Sequence, residues 1–168
     1  NKIVKTEEED VKADVLNYIP NQKASQLAFD SGLVTDGKDW CDIHPKTFES
    51  KLVKNVHVIG DASNAAPMPK SAFSASTQGK VVALQIARML KQQEPLNPPK
   101  LANTCYSLLS PNYGISIAAV YNALDDKIQN VDGAGGVSPE TDPDGHIRIL
   151  EAKYAYAWYE SQTADIFK

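Results

Sequence analysis

Cysteine is scarce in this chain. Cys41 and Cys105 are too few to build a disulfide framework. Histidine is scarce too, and His44, His57 and His146 fall at no Cys/His spacing that matches a zinc site. No Gly-x-Ser-x-Gly elbow and no local nucleophile–base pair is present, so serine and metal hydrolysis find no support. Charge of one sign is missing as well. Lys and Arg number 17 against 21 Asp and Glu, a net charge of −4. That balance leaves no electrostatic footprint for nucleic acid or an anionic membrane. The longest uninterrupted apolar run, Tyr154 to Tyr159, is far short of the ~20 residues of a spanning helix. The first residues carry neither a starting Met nor the apolar stretch of a signal peptide. The expectation is a mature, trimmed or partial chain.

What remains is an ordinary globular mixture. The 168 residues are 42 % hydrophobic and 23 % charged, which argues against disorder and collagen-like structure. The length suits one domain or two small ones. Lys2 to Thr6 alternates, and the acidic cluster Glu7 to Asp10 reads as a turn. Val11 to Ile19, stopped by Pro20, is predicted as a buried strand. Residues 23–31 predict a short helix ended by Gly32. Residues 34–46 form a polar loop with an Asp36-Gly37 turn, and Trp40-Cys41 would pack it onto a core. Residues 52–59 predict a strand running into Gly60-Asp61 and a Pro-containing loop. A helix follows from about Ser71 to Lys91, with Ala75, Val82, Ile86 and Met89 on its buried face.

Gln92 to Lys100, with Pro95, Pro98 and Pro99, is the linker candidate. Beyond it, Thr104–Leu109 and Tyr113–Tyr121 predict a hairpin around Ser110-Pro111-Asn112. Ile115, Ile117, Ala119 and Tyr121 would share a face. Ile128–Val131 would add a short third strand. Residues 132–145, including Gly133 to Gly136, read as a flexible loop rather than a phosphate cradle. Ile147–Phe167 predicts a closing helix with Ile147, Leu150, Tyr154 and Trp158 as a stripe. The class is therefore α/β over the first 93 residues, followed by a small α+β unit of antiparallel strands and a terminal helix. The first part has too few elements to cover both faces of a parallel sheet, an internal hint of absent upstream residues.

Two places could carry chemistry. A strand running into Gly60-Asp61 puts the carboxylate at a strand's carboxyl end, where α/β folds bind ligands. Gly60 would let the backbone approach a ligand closely, and the next helix would aim its positive end at it. The alternative is a tight turn with a capping Asp. Cys105, in Asn103-Thr-Cys-Tyr-Ser107, is either a small buried residue or a redox thiol, and spacing does not choose. Trp158 and its neighbouring tyrosines read as core more readily than as a cofactor platform.

Several stretches taken together resemble one family. They are Trp40-Cys41, Thr47-Phe-Glu-Ser50, Val58-Ile-Gly-Asp-Ala62, Met68-Pro-Lys-Ser-Ala72, Asn103-Thr-Cys-Tyr-Ser107, Tyr113-Gly-Ile-Ser-Ile117 and Tyr154-Ala-Tyr-Ala-Trp-Tyr159. In this order they resemble the flavoprotein subunit of flavocytochrome c sulfide dehydrogenase, over its C-terminal two-fifths or so. The resemblance implies the C-terminal part of a glutathione reductase-like FAD/NAD(P)-type flavoprotein. Residues 1–45 would end an NAD(P)-like domain, 46–93 would be the return segment of the FAD-binding domain, and 94–168 the C-terminal domain. It implies that Asp61 binds the ribityl chain of FAD, that Gly60 and Ala62 line the turn, and that Met68, Pro69 and Lys70 lie near the isoalloxazine.

The resemblance makes Cys105 one half of a redox disulfide whose other half lies upstream, and places Trp158 close to the flavin. Cys41 has no redox role in it. Phe73 stands where relatives often have Tyr, and Ser63 where some have Cys. The implied chemistry is attack of sulfide on the disulfide, transfer of two electrons to FAD, and their exit through a c-type cytochrome subunit in the periplasm. The family's Gly-x-Gly-x-x-Gly turn and flavin-linking cysteine are not in this sequence, so the 168 residues alone are expected to be inactive, colourless and prone to self-association. Two alternatives stand beside this: a sulfide:quinone oxidoreductase-like flavoprotein, and a non-catalytic interaction fragment without flavin. The acidic Ile147–Phe167 helix argues against the first, which docks on membrane.

Overall fold

A computed structural model describes residues 2–168. β1 (Lys2–Lys5) and β2 (Asp10–Ala13) form an antiparallel hairpin, Lys5 opposite Asp10. The acidic cluster does make the turn, because the Thr6 hydroxyl accepts from the amides of Glu8 and Glu9 and donates to the Glu9 carbonyl. The buried strand predicted over Val11–Ile19 does not form. β2 ends at Ala13, and Val15, Leu16, Tyr18 and Ile19 are exposed. A buried strand needs a covering layer, and none of the described elements lies over this segment.

α1 (Gln26–Asp30) follows, and Gly32 leaves it with φ +67°. The loop after it packs down as expected, with Cys41 wholly buried beside Ile43 and Phe48. The strand predicted over 52–59 is replaced by turns, leaving a single bridge between Glu49 and His57. Local side-chain bonds win here. Ser50 Oγ accepts from the amides of Leu52 and Val53, and Glu49 accepts from Asn55, whose φ is +63°. The first part is thus a hairpin, short helices and bridged loops, not a parallel sheet.

α2 (Ala72–Leu90) has Ser71 as its N-cap, accepting from the Ser74 amide. Its buried face is Ser74, Gln78, Val82 and Gln85, while Met89 is exposed. The buried stripe is therefore largely polar. Gln85 explains part of it: its amide donates to the carbonyls of Lys46 and Leu96 and accepts from the Leu96 amide. The proline-rich segment is consequently fastened to α2 rather than free, and Pro99 is buried.

β3 (Lys100–Ser110), β4 (Tyr113–Ala123) and β5 (Ile128–Val137) form an antiparallel sheet in that order. Cys105 pairs with Ile117, and Ile117 with Val137, so these three share one face. The glycines predicted as a loop belong to β5. A Cβ on Gly135 would collide with the Ala118 carbonyl, so only glycine lets β5 lie this close to β4. Gly133, at φ +72°, sits within the irregularity between Ala119 and Tyr121.

α3 (His146–Phe167) covers the opposite face of the sheet. Its buried residues are Arg148, Glu151 and Ala152, whereas Ile147 and Tyr154 of the expected stripe are exposed. The cause is close approach. A Cβ on Gly114 would stand 2.5 Å from the Ala152 nitrogen, which leaves no room for rings at that crossing. On the other face, Leu101, Tyr121, Ala123 and Ile128 join the core of Cys41, Ile43 and Phe48. The same face beyond Cys105 is uncovered, with Ile117 52 % and Val137 69 % exposed.

Candidate cofactor site and redox thiol

The site starts from a turn. Gly60–Ala62 is one turn of 3-10 helix, closed by the Ser63 amide and hydroxyl on the Gly60 carbonyl at 3.0 and 2.8 Å. Gly60 takes φ +65°, and an added Cβ would meet the Ala75 side chain at 3.3 Å. The positive φ favours glycine there, and an added Cβ would press on Ala75. The Gly60 amide donates to Gln78 Oε1 at 2.7 Å, fixing the turn against α2. On the other side, the Cys41 amide donates to the Ala62 carbonyl at 2.9 Å.

Lys70 closes the cradle. Its ammonium donates to the carbonyls of Asp61 and Ser63 at 2.6 and 2.8 Å and sits 3.7 Å from the centre of the Trp40 ring. Burial pushes its pKa down, with Asp61 and Cys41 acting the other way. Burial likewise pushes the Cys41 thiol up, reinforced by Asp42 and opposed by Lys70. A buried thiol held protonated is a poor nucleophile, in keeping with Cys41 as a bystander.

Trp40, Gly60, Asp61, Met68, Pro69 and Lys70 line a cavity of about 170 Å³. Five of the residues singled out from the sequence therefore meet in one place. Ala62 does not line that cavity; it contributes its carbonyl to the Cys41 clamp. Met68 is buried and lies 3.7 Å from the Gln78 amide nitrogen.

Cys105 lies on β3 where three clefts meet. One, of about 400 Å³, it shares with Pro67, Pro69, Asn103 and Ile117. A second, of about 340 Å³, it shares with Phe73, Tyr106 and Trp158. The third, of about 330 Å³, reaches Ser138 and Arg148. Trp158 is thus separate from the Gly60–Lys70 cavity but borders a cleft with Cys105. Among the described residues no group of His, Cys, Asp and Glu could hold a metal ion, and no helix is long and apolar enough to cross a membrane.

Asn103 was not singled out from the sequence. It is buried, and its Oδ1 accepts from Ser71 Oγ at 2.5 Å and Ser74 Oγ at 3.0 Å. Its Nδ2 donates to Cys105 Sγ at 3.3 Å. The signal was available: residues i and i+2 of a strand share a face, so a strand through Asn-Thr-Cys puts the amide beside the thiol. Gln78 gave a weaker signal, as a polar residue within a helix that has to pack.

The class this defines is a half-covered antiparallel sheet carrying an accessible thiol, joined to a glycine-turn cradle at the start of a long helix. Residues 97–167, which take in all three strands of that sheet and α3, match the family described as flavocytochrome c sulphide dehydrogenase, flavin-binding. The match supports the resemblance drawn from the motifs over this part of the chain: the C-terminal portion of a flavoprotein subunit. It takes in Cys105 and Trp158. The Gly60–Lys70 cradle lies outside the matched residues.

Proposed function

We propose that the chain is the C-terminal part of an FAD-dependent sulfide dehydrogenase that passes electrons to a c-type cytochrome. One observation carries this reading. Pro69 of the cradle and Cys105 border the same cavity of about 400 Å³, so a group resting on the cradle lies beside the sulfur. The family match supplies the flavin. The parent fold is then glutathione reductase-like, with residues 1–45 closing an NAD(P)-like domain, 46–93 returning to the FAD domain and 94–168 forming the C-terminal domain. The periplasm is the compartment that a c-type cytochrome partner would require.

The cradle fits one edge of FAD. The exposed Asp61 carboxylate can accept from ribityl hydroxyls, and Gly60 offers backbone without a side chain. In this reading these residues hold one edge of FAD, and the rest of the envelope is supplied elsewhere in the subunit. When bound, FAD supplies an acceptor for two electrons. This chain's own part is to present the Cys105 sulfur. Attack by sulfide there forms one S–S bond, breaks the bond to the partner cysteine, and releases that cysteine as thiolate.

The test uses the intact flavoprotein subunit with its cytochrome. Cys105→Ser is expected to abolish sulfide-dependent cytochrome c reduction while leaving the bound flavin in place. Reduction at the unsubstituted rate would overturn the reading. Sulfide-dependent reduction of a quinone in preference to cytochrome c would favour the quinone-reducing relatives instead.

A further inference from the structure

We propose that Asn103 is the positioning residue of Cys105, holding its sulfur by hydrogen-bond donation and tying it to the first turn of α2. This rests on the reading of Cys105 as the reacting thiol. The amide is oriented by its other side. Ser71 Oγ already accepts from the Ser74 amide at 3.0 Å, so its proton is free for Asn103 Oδ1 at 2.5 Å. Ser74 Oγ, itself buried, reaches the same oxygen at 3.0 Å. With Oδ1 turned to two serines, Nδ2 faces Sγ at 3.3 Å, nearer than the 3.7 Å that separates Sγ from Oδ1.

The chemistry follows from that orientation. An amide N–H donated to sulfur fixes the direction in which Sγ is presented. Asn103 is only 3 % exposed, so water does not compete strongly for its donor. The amide has two serine anchors and one sulfur, and both serines sit at the N-terminus of α2. A displacement at the start of α2, beside Met68 to Lys70, is thus carried to the sulfur through one rigid amide. The cradle and the thiol become mechanically linked, although they lie on different elements.

Asn103→Asp separates positioning from simple support. The carboxylate keeps an acceptor for Ser71 and Ser74, but when ionised it donates nothing to sulfur and repels a thiolate. The measurement is alkylation of Cys105 by iodoacetamide, in which the thiolate forms a C–S bond and iodide leaves, followed by peptide mass spectrometry. Cys41, wholly buried, is resolved on its own peptide. Asn103→Asp is expected to slow alkylation about tenfold near neutral pH and to move the pH–rate profile to higher pH. Alkylation at the unsubstituted rate with an unmoved profile would overturn the proposal. Asn103→Ala, which loses the donor without adding charge, is expected to slow the reaction less than Asp; alkylation of the Ala variant at or above the unsubstituted rate would also overturn it. Loss of the sulfide reading by an active Cys105→Ser enzyme would leave this thiol measurement as it stands, so the two failures are distinguishable.

Discussion

Phe73 and Trp158 stack with ring centroids 5.6 Å apart and planes 18° apart. One ring comes from the first turn of α2 and the other from the middle of α3, so the stack joins the two helices beside Cys105. Both rings line the cleft of about 340 Å³ that Cys105 also borders. A tyrosine at position 73 would add a hydroxyl to this stack. Phe73 contributes only its ring.

A double-mutant cycle measures that stack. Phe73→Leu and Trp158→Leu are each expected to destabilise the chain, with a coupling energy of about 0.5–1.5 kcal/mol between them. Chemical denaturation of the single and double variants reads the coupling. Strict additivity would mean that the rings do not hold the two helices together.

The C-terminal sheet was legible because its cues are local. Alternation over Thr104–Leu109 and Tyr113–Tyr121, with Ser110-Pro111-Asn112 between them, fixed a hairpin that β3 and β4 reproduce with slightly longer strands. The sequence predicts only Ile128–Val131 of the third strand because Gly133 to Gly136 has loop composition. Its glycines instead serve close strand approach, which is a tertiary demand and leaves no local mark. For α2 the length was readable and the buried face was not. Gln78 and Gln85 are buried because each satisfies a distant backbone group, Gly60 and Leu96 respectively. For the site, Met68, Pro69 and Lys70 are joined to Gly60 and Asp61 by the resemblance, and all five line one cavity. Asn103's place beside Cys105 is a local feature of the strand, but its anchoring by Ser71 and Ser74, some thirty residues away, is not. Val15 to Ile19 looked like core since the sequence records hydrophobicity but not whether a covering layer exists.

Glu151 gives the fold a pH dependence with a defined sign. Burial tends to raise its pKa, but hydroxyls of Ser138 and Ser116 at 2.6 and 2.7 Å and Arg148 Nη1 at 3.2 Å hold it below the ordinary 4.5. A carboxyl depressed by folding contributes stability that is present above its unfolded value and lost as pH falls through the folded one. Thermal midpoints are therefore expected to fall as the pH drops below about 4.5. Glu151→Gln should lose part of this dependence and be less stable than the parent at pH 7, where Arg148 is left without its counter-charge. Equal stability of the two proteins at pH 7 would refute the assignment.

Gly114 tests the crossing of α3 over the sheet. Its Cα faces the α3 backbone so closely that a new Cβ would meet the Ala152 nitrogen at 2.5 Å and the Glu151 carbonyl carbon at 2.8 Å. Both are backbone atoms, which cannot rotate away as a side chain would. Gly114→Ala must therefore lift α3 off β4, stretching the hydrogen bonds from Ser116 and Ser138 to Glu151 as it does so. The expected cost is about 1–3 kcal/mol or more, seen as a lower denaturation midpoint. Gly136, on the neighbouring strand, has open space where its Cβ would be, so Gly136→Ala is the control and should be nearly neutral. If both glycines tolerate alanine equally, α3 does not rest on β4 at this distance, and the small-residue explanation for its exposed aromatic rings fails with it.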